Sequence, residues 1–225
     1  MLWQCYTAIA GDGGRLSFAQ AQDRMKRYLV AGYKLTPASP TLLEARDALL
    51  AAMAAQDPAD LALCAQAFVA EAPQHLVHVA AMRAGLQAIE AVAARLPRRP
   101  RVYFEEWDEP PISAIRWVSE LVGIAGGDDC FAELAQRPLG KDRIIAEPAE
   151  IIRRHPDIVI GSWCGKKFRP EKVAARPGWQ AVPAVLEGQL FEIKSADILQ
   201  PGPAALTDGV AQLARIIQAW GERHG

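Results

Sequence analysis

Residues 102–127, VYFEEWDEPPISAIRWVSELVGIAGG, constrain the fold more than any other stretch. An apolar, aromatic run suited to a buried strand opens into an acidic, proline-rich turn. Ile112, Ile115, Val118 and Leu121 then recur at helical spacing, which predicts strand, loop and helix in succession. In open α/β sheets the loop after such a strand lies at the carboxyl end, where ligands collect. Glu105, Glu106, Trp107, Asp108 and Glu109 crowd that position. Carboxylates resist burial and an indole face can stack on a flat ligand, so the cluster suits a binding surface better than a core. If the strand continues through them, Glu105 and Glu106 point to opposite sides, which excludes a paired acid–base system.

The same rhythm continues downstream. Glu147 to His155 reads as a short helix, and Asp157 to Ile160 as a buried strand running into Gly161-Ser-Trp-Cys-Gly165. This second strand-end loop again carries an indole, Trp163, followed by Lys166, Lys167 and Phe168. Lys172 to Trp179 reads as a short helix or turn, Val182 to Val185 and Gln189 to Ile193 as strands. Thr207 or Asp208 caps a last helix bearing Val210, Leu213, Ile216, Ile217 and Trp220. Alternating strands and helices imply a mostly parallel sheet flanked by helices.

The first third differs. Ser17 caps a predicted helix ending at Gly32, Thr41 and Glu44 form a capping-box pattern, and Asp57-Pro58 restarts helix. Pro73 begins a further segment in which His75 to Leu96 reads as one long helix. The expected organisation is a helical segment 1–72, a connecting helix 73–99 and an α/β lobe 100–225. His75 and His78 sit one turn apart, but without a third ligand at a sensible spacing they read as polar residues on a helix surface.

Composition narrows the function. The formal net charge is -1, so no basic field exists to hold phosphate backbones and nucleic-acid binding is disfavoured. Cys5, Cys64, Cys130 and Cys164 form no CxxC pair and read as mostly free thiols. No run of about 20 apolar residues predicts a membrane span, and the first residues lack the basic and apolar regions of an export signal. Cys164, in a sharp turn near two lysines, invites comparison with a catalytic nucleophile. No histidine with a carboxylate partner is visible to serve as its base, so no catalytic residue is assigned and the expectation is a non-enzyme.

The stretches RVYFEEWDEP (101–110), IRWVSELVGIAGG (115–127), PDIVIGSWCGKKFRPEKV (156–173) and LQPGPAALTDG (199–209) resemble the C-terminal lobe of the cobalamin-binding, periplasmic-type substrate-binding proteins of ABC importers. In that family two α/β lobes joined by a rigid helix close on a corrinoid and then dock on a membrane permease. The resemblance implies that the loops of Phe104 to Asp108 and Trp163 to Phe168 face the ligand. Phe104, Trp107, Trp163 and Phe168 would give apolar contact, while Glu105, Glu106, Asp108, Lys167 and the Cys164 thiol would supply polar contacts. Asp197 lies in the ligand-side loop by resemblance, and Glu147 or Glu150 is similar to the acidic position that meets the permease. Plain alternatives stay open: lobe packing for the indoles, solvated strand-end charges for Glu105 and Glu106, a turn for Asp197, an ordinary surface for Glu147 and Glu150. The family is extracytoplasmic and holds no cofactor besides the transported corrinoid.

Residues 25–52, MKRYLVAGYKLTPASPTLLEARDALLAA, with the helix around Cys64 to Phe68, resemble instead the C-terminal tail of fungalysin-type zinc metallopeptidases. That family binds zinc through HExxH, which this chain lacks. The sequence therefore reads as a carrier lobe joined to a peptidase-like tail, with the N-terminal lobe missing and affinity reduced, or alternatively as a peptidase remnant without catalytic residues.

Overall fold

The computed structural model describes residues 2–38 and 40–225, which divide into two compact units, Met1–Val79 and Ala80–Gly225. The first is helical: α1 (Leu2–Ala10), α2 (Phe18–Leu35), α3 (Leu42–Ala54) and the first part of α4 (Pro58–Ala93). Local signals set these starts. Ser17 and Gln20 form a capping box on α2, Thr41 and Glu44 form one on α3, and Asp57 Oδ1 accepts from the Ala59 amide at 2.9 Å. The ends follow packing instead. Gly32 does not close α2 but lies inside it, where an added Cβ would sit 3.2 Å from Leu49 Cα; its missing side chain lets α2 approach α3. Pro73 does not begin a helix either, because α4 runs through it unbroken.

The unit's small core is Cys5, Ile9, Met25, Tyr28, Leu49, Met53 and Cys64. Two of the four cysteines are not free: Cys5 and Cys64 form a disulfide with Cα atoms 4.5 Å apart. Their separation of 59 residues hides the pairing in sequence, since only α1 packing on α4 brings them together. Beside this core the Asp60 carboxylate is fully buried, accepting from Arg24 at 3.0 Å, from Tyr28 at 2.5 Å and from Arg15. Burial alone would raise its pKa, but these donors hold it below the usual carboxylate range, while burial and the same carboxylate push the Tyr28 hydroxyl up to about 12.

Within α4, Leu76–Ala93 is long and apolar enough to cross a membrane by length and composition, with 6% of it buried. Arg83 and Glu90 interrupt this stretch, which is only weakly apolar and is no clear membrane span. A charge at mid-bilayer costs about 2.5–3.5 kcal/mol.

The second unit is an α/β lobe. In order it holds β1 (Arg101–Asp108), β2 (Pro111–Ser113), α5 (Arg116–Ile124), β3 (Asp128–Asp129), α6 (Ala132–Ala135), α7 (Ala149–Arg153), β4 (Ile158–Gly161), α8 (Pro170–Ala174), α9 (Pro183–Leu186), β5 (Leu190–Glu192), α10 (Ser195–Ile198) and α11 (Val210–His224). The strand order is β2-β1-β4-β5; β4 is parallel to both β1 and β5, β3 pairs parallel with the start of β1, and β2 is antiparallel. The mostly parallel, helix-flanked sheet is thus present.

Both faces of this sheet are covered, which explains why β1 and β4 lack polar alternation. Val102, Phe104, Ile158 and Ile160 face one layer with α5 and α11, through Val118, Leu121, Leu213, Ile217 and Trp220. Tyr103 and Val159 face the other with Phe131, Ile151, Trp163, Phe168, Trp179 and Val182. Two expected elements change type. Ile112 belongs to β2 rather than the following helix, because the turn at Pro110-Pro111 reverses the chain onto β1. Val182 to Val185 is not a strand: Pro183 opens α9, needing no amide partner there, and the Ala184 amide donates to Pro156 O at 3.0 Å.

Candidate ligand-binding edge

Because β1, β4 and β5 run in parallel, their carboxyl ends and the loops that follow share one edge. The turn 108–111, the loop 162–169 and the segment entering α10 meet there. Lys166 shows how closely. Its Nζ lies 5.6 Å from the Trp107 ring centroid and 5.2 Å from that of Trp163, and it is ion-paired with Asp108. One ammonium over two indoles puts both on the same face of the lobe.

The expected contact residues separate into two levels. Phe104, Glu105, Trp163 and Phe168 are at most 5% exposed and belong to the lobe's own packing. They lie beneath the surface instead of forming it, since β1 and β4 are covered on both faces. The Glu105 carboxylate is satisfied there by its partners: Arg176 donates to its two oxygens at 2.7 and 2.9 Å, the Tyr103 hydroxyl at 2.9 Å and Trp163 Nε1 at 3.2 Å. Burial, and then this carboxylate, raise the Tyr103 hydroxyl well above its ordinary pKa. The Phe168 ring meets Trp163 edge-on at 5.0 Å.

The surface level comprises Glu106, Trp107, Asp108, Cys164 and Lys167. Glu106 leaves β1 on the other side from Glu105, at an irregularity in the pairing with β2, and is held by Arg143 at 2.6 and 3.2 Å. Trp107 Nε1 donates to Glu109 O at 2.9 Å, which fixes the indole within its own turn. Asp197 is half-buried in α10, its carboxylate accepting from Gln212 at 3.0 Å. Glu147 pairs with Arg153 at 3.2 Å, and Glu150 with Arg153 and Arg154 at 2.5 and 2.9 Å, so both glutamates are already engaged. The side chain of His75 lies outside the described residues.

Sequence reasoning missed Arg176, Arg143 and Ser162. Arg176 is 71 residues from Glu105 and no local pattern links them. Ser162 is fully buried at the end of β4 with an Oγ that finds no partner among the described residues. Gly161 was read as a loop boundary but serves packing: a Cβ there would lie 2.0 Å from Phe168 Cδ2. We expect Gly161→Ala to displace Phe168 and cost about 1–3 kcal/mol, as overpacking does. Thermal unfolding followed by tryptophan fluorescence checks this, and an unchanged midpoint would refute the tight placement of that ring.

Residues 60–196, more than half of the chain, match the periplasmic binding protein family. The chain belongs to that family. Its members are extracytoplasmic proteins that bind small molecules and work with ABC permeases. Among solved structures, this periplasmic binding protein is similar to one from Veillonella parvula, at 24% identity and TM-score 0.56, over 72% of this chain and 55% of that one. A possible iron-binding, periplasmic solute-binding protein of Staphylococcus epidermidis aligns at 18% identity and TM-score 0.55, over 88% and 72%. The periplasmic heme-binding protein RhuT of a Roseiflexus species aligns at 23% identity and TM-score 0.51, over 69% and 61%. At these identities the similarity shows the fold. The chain spans little more than half the length of the Veillonella protein. Among curated protein sequences none matches.

Proposed function

We propose that this periplasmic binding protein is a non-catalytic carrier of cobalamin or a related corrinoid or metal chelate, which it presents outside the cytoplasm to an ABC permease. The observation that carries the reading is the convergence of the Trp107 and Trp163 loops beneath Lys166 at the sheet's carboxyl edge. A corrin is broad and rather flat, with amide arms at its rim. Trp107 offers it an apolar face, Glu106, Asp108, Lys167 and Cys164 offer polar contacts, and Asp197 bounds the far side of the same edge. Phe104, Glu105, Trp163 and Phe168 act from below by holding those loops in place. Glu147 and Glu150 are assigned to the permease, on the resemblance and on their position at α7. The Cys5–Cys64 disulfide supports an oxidising compartment. The peptidase-like tail brings no chemistry, because HExxH is lacking.

Apolar surface of a corrinoid covered at this edge contributes about 25 cal/mol per Å², so binding should be measurable up to high-micromolar ligand. Isothermal titration with cyanocobalamin should release heat and quench tryptophan fluorescence there, and Trp107→Ala should weaken binding about tenfold. Absence of both signals in the wild-type protein rules out this carrier role.

A further inference from the structure

The pairing of β1 with β4 ends at Glu105 and Gly161, and the Ser162 amide makes a last bond to Glu105 O at 2.9 Å. Beyond that point the two segments part, β1 towards its turn onto β2 and β4 into the loop 162–169. Among the described residues one hydrogen bond then joins the turn to the loop: Lys166 Nζ donates to Asp108 Oδ2 across 58 residues of chain.

This bond is no ordinary surface pair. The Asp108 side chain is 10% exposed, its Oδ1 is buried without a donor from any described residue, and Lys166 is its one charged partner among them. Removing one member of a pair whose carboxylate is nearly buried leaves a desolvated charge behind, whereas a fully exposed pair costs little to break. The same ammonium stands over Trp107 and over Trp163, where each ring face attracts it. Asp108 and Trp107 belong to the turn and Trp163 to the loop, so a single side chain grips both sides. An edge that must fit a rigid ligand gains affinity from being held in one shape before binding.

Building on the carrier reading, we infer that Lys166 is a positioning residue, which fastens the Trp107 turn to the Trp163 loop through Asp108 and so presets the ligand edge. It need not touch the ligand. Removing either end of the pair should therefore release the same contact.

A double-substitution cycle with cyanocobalamin tests this. Lys166→Met keeps the stem and removes the ammonium, and Asp108→Asn removes the charge at the other end. By isothermal titration each should weaken binding about tenfold, and the two together should be no worse than either alone, since both remove one contact. Lys166→Arg, which keeps a cation over the rings, should retain wild-type affinity. In ligand-free protein labelled with fluorotryptophan, fluorine NMR should show the Trp107 and Trp163 signals moving in both single variants. Should one single variant fail to fold by circular dichroism, the other decides by the same two readouts. Wild-type or tighter binding by folded Lys166→Met, losses that add in the double variant, or tryptophan signals that stay in place overturn the positioning role and leave the carrier reading standing. Absence of cyanocobalamin binding by the wild-type protein overturns both.

Discussion

Arg176→Ala should destabilise the α/β lobe by about 3–5 kcal/mol, the usual consequence of leaving one partner of a buried ion pair alone. Glu105 is fully buried and takes both guanidinium bonds, and what would remain to it are the Tyr103 hydroxyl and the Trp163 indole. Neither carries charge. The carboxyl would then have to protonate or draw water between β1 and the Trp163 loop, so the damage should reach the ligand edge. Urea unfolding read by tryptophan fluorescence measures the loss. The exposed pair of Arg153 with Glu147 provides the contrast, since Arg153→Ala should cost under about 1 kcal/mol. The double substitution Arg176→Met with Glu105→Gln should recover much of the deficit, because the unpaired charge is then gone. A loss below about 1 kcal/mol for Arg176→Ala alone would show that Glu105 does not depend on it.

Reduction of the Cys5–Cys64 disulfide should destabilise the helical unit by about 4 kcal/mol, the loop-closure entropy of a bridge spanning 59 residues. A core of this size rarely supplies more than about 3–5 kcal/mol, so the unit should lose its fold while the lobe keeps its own. Hydrogen exchange separates the two. Under a thiol reductant the amides of α2 and α3 should lose protection and those of β1 and β4 should keep it, and the Cys5→Ala, Cys64→Ala double variant should behave likewise without reductant. Retained protection in α2 after complete reduction would mean that the buried Asp60 cluster, with Arg15, Arg24 and Tyr28, holds the unit without the bridge.

What could be read in advance had a local cause. The capping boxes at Ser17 and Thr41 and the cap at Asp57 are decided within three residues of chain, and each recurs in the structure. The doubly buried strands of residues 102–104 and 158–160 announced themselves by apolar runs without alternation. Misreadings came where a distant partner decides. Gly32 reads as a helix stop until Leu49 is seen against it, and Val182 to Val185 reads as a strand because its valines say nothing of a proline that begins a helical turn.

The candidate site divides along the same line. That aromatic and acidic residues gather after two strands is written in the order of the amino acids, and parallel pairing of β1 with β4 is enough to bring their ends to one edge. Which of these residues the surface keeps depended on long-range packing. Trp163 and Phe168 went under because Gly161 leaves room for a ring, Glu105 because Arg176 arrives from 71 residues away to neutralise it, and Trp107 stayed half out because its own turn holds its N–H. Residue order determines hydrophobic period, cap and turn, which act over one helical turn or a few residues of strand. Burial of a charge, pairing of two thiols and the orphaned oxygen of Asp108 depend on neighbours that only the folded chain assembles, because their energies lie in contacts between segments that are far apart in sequence.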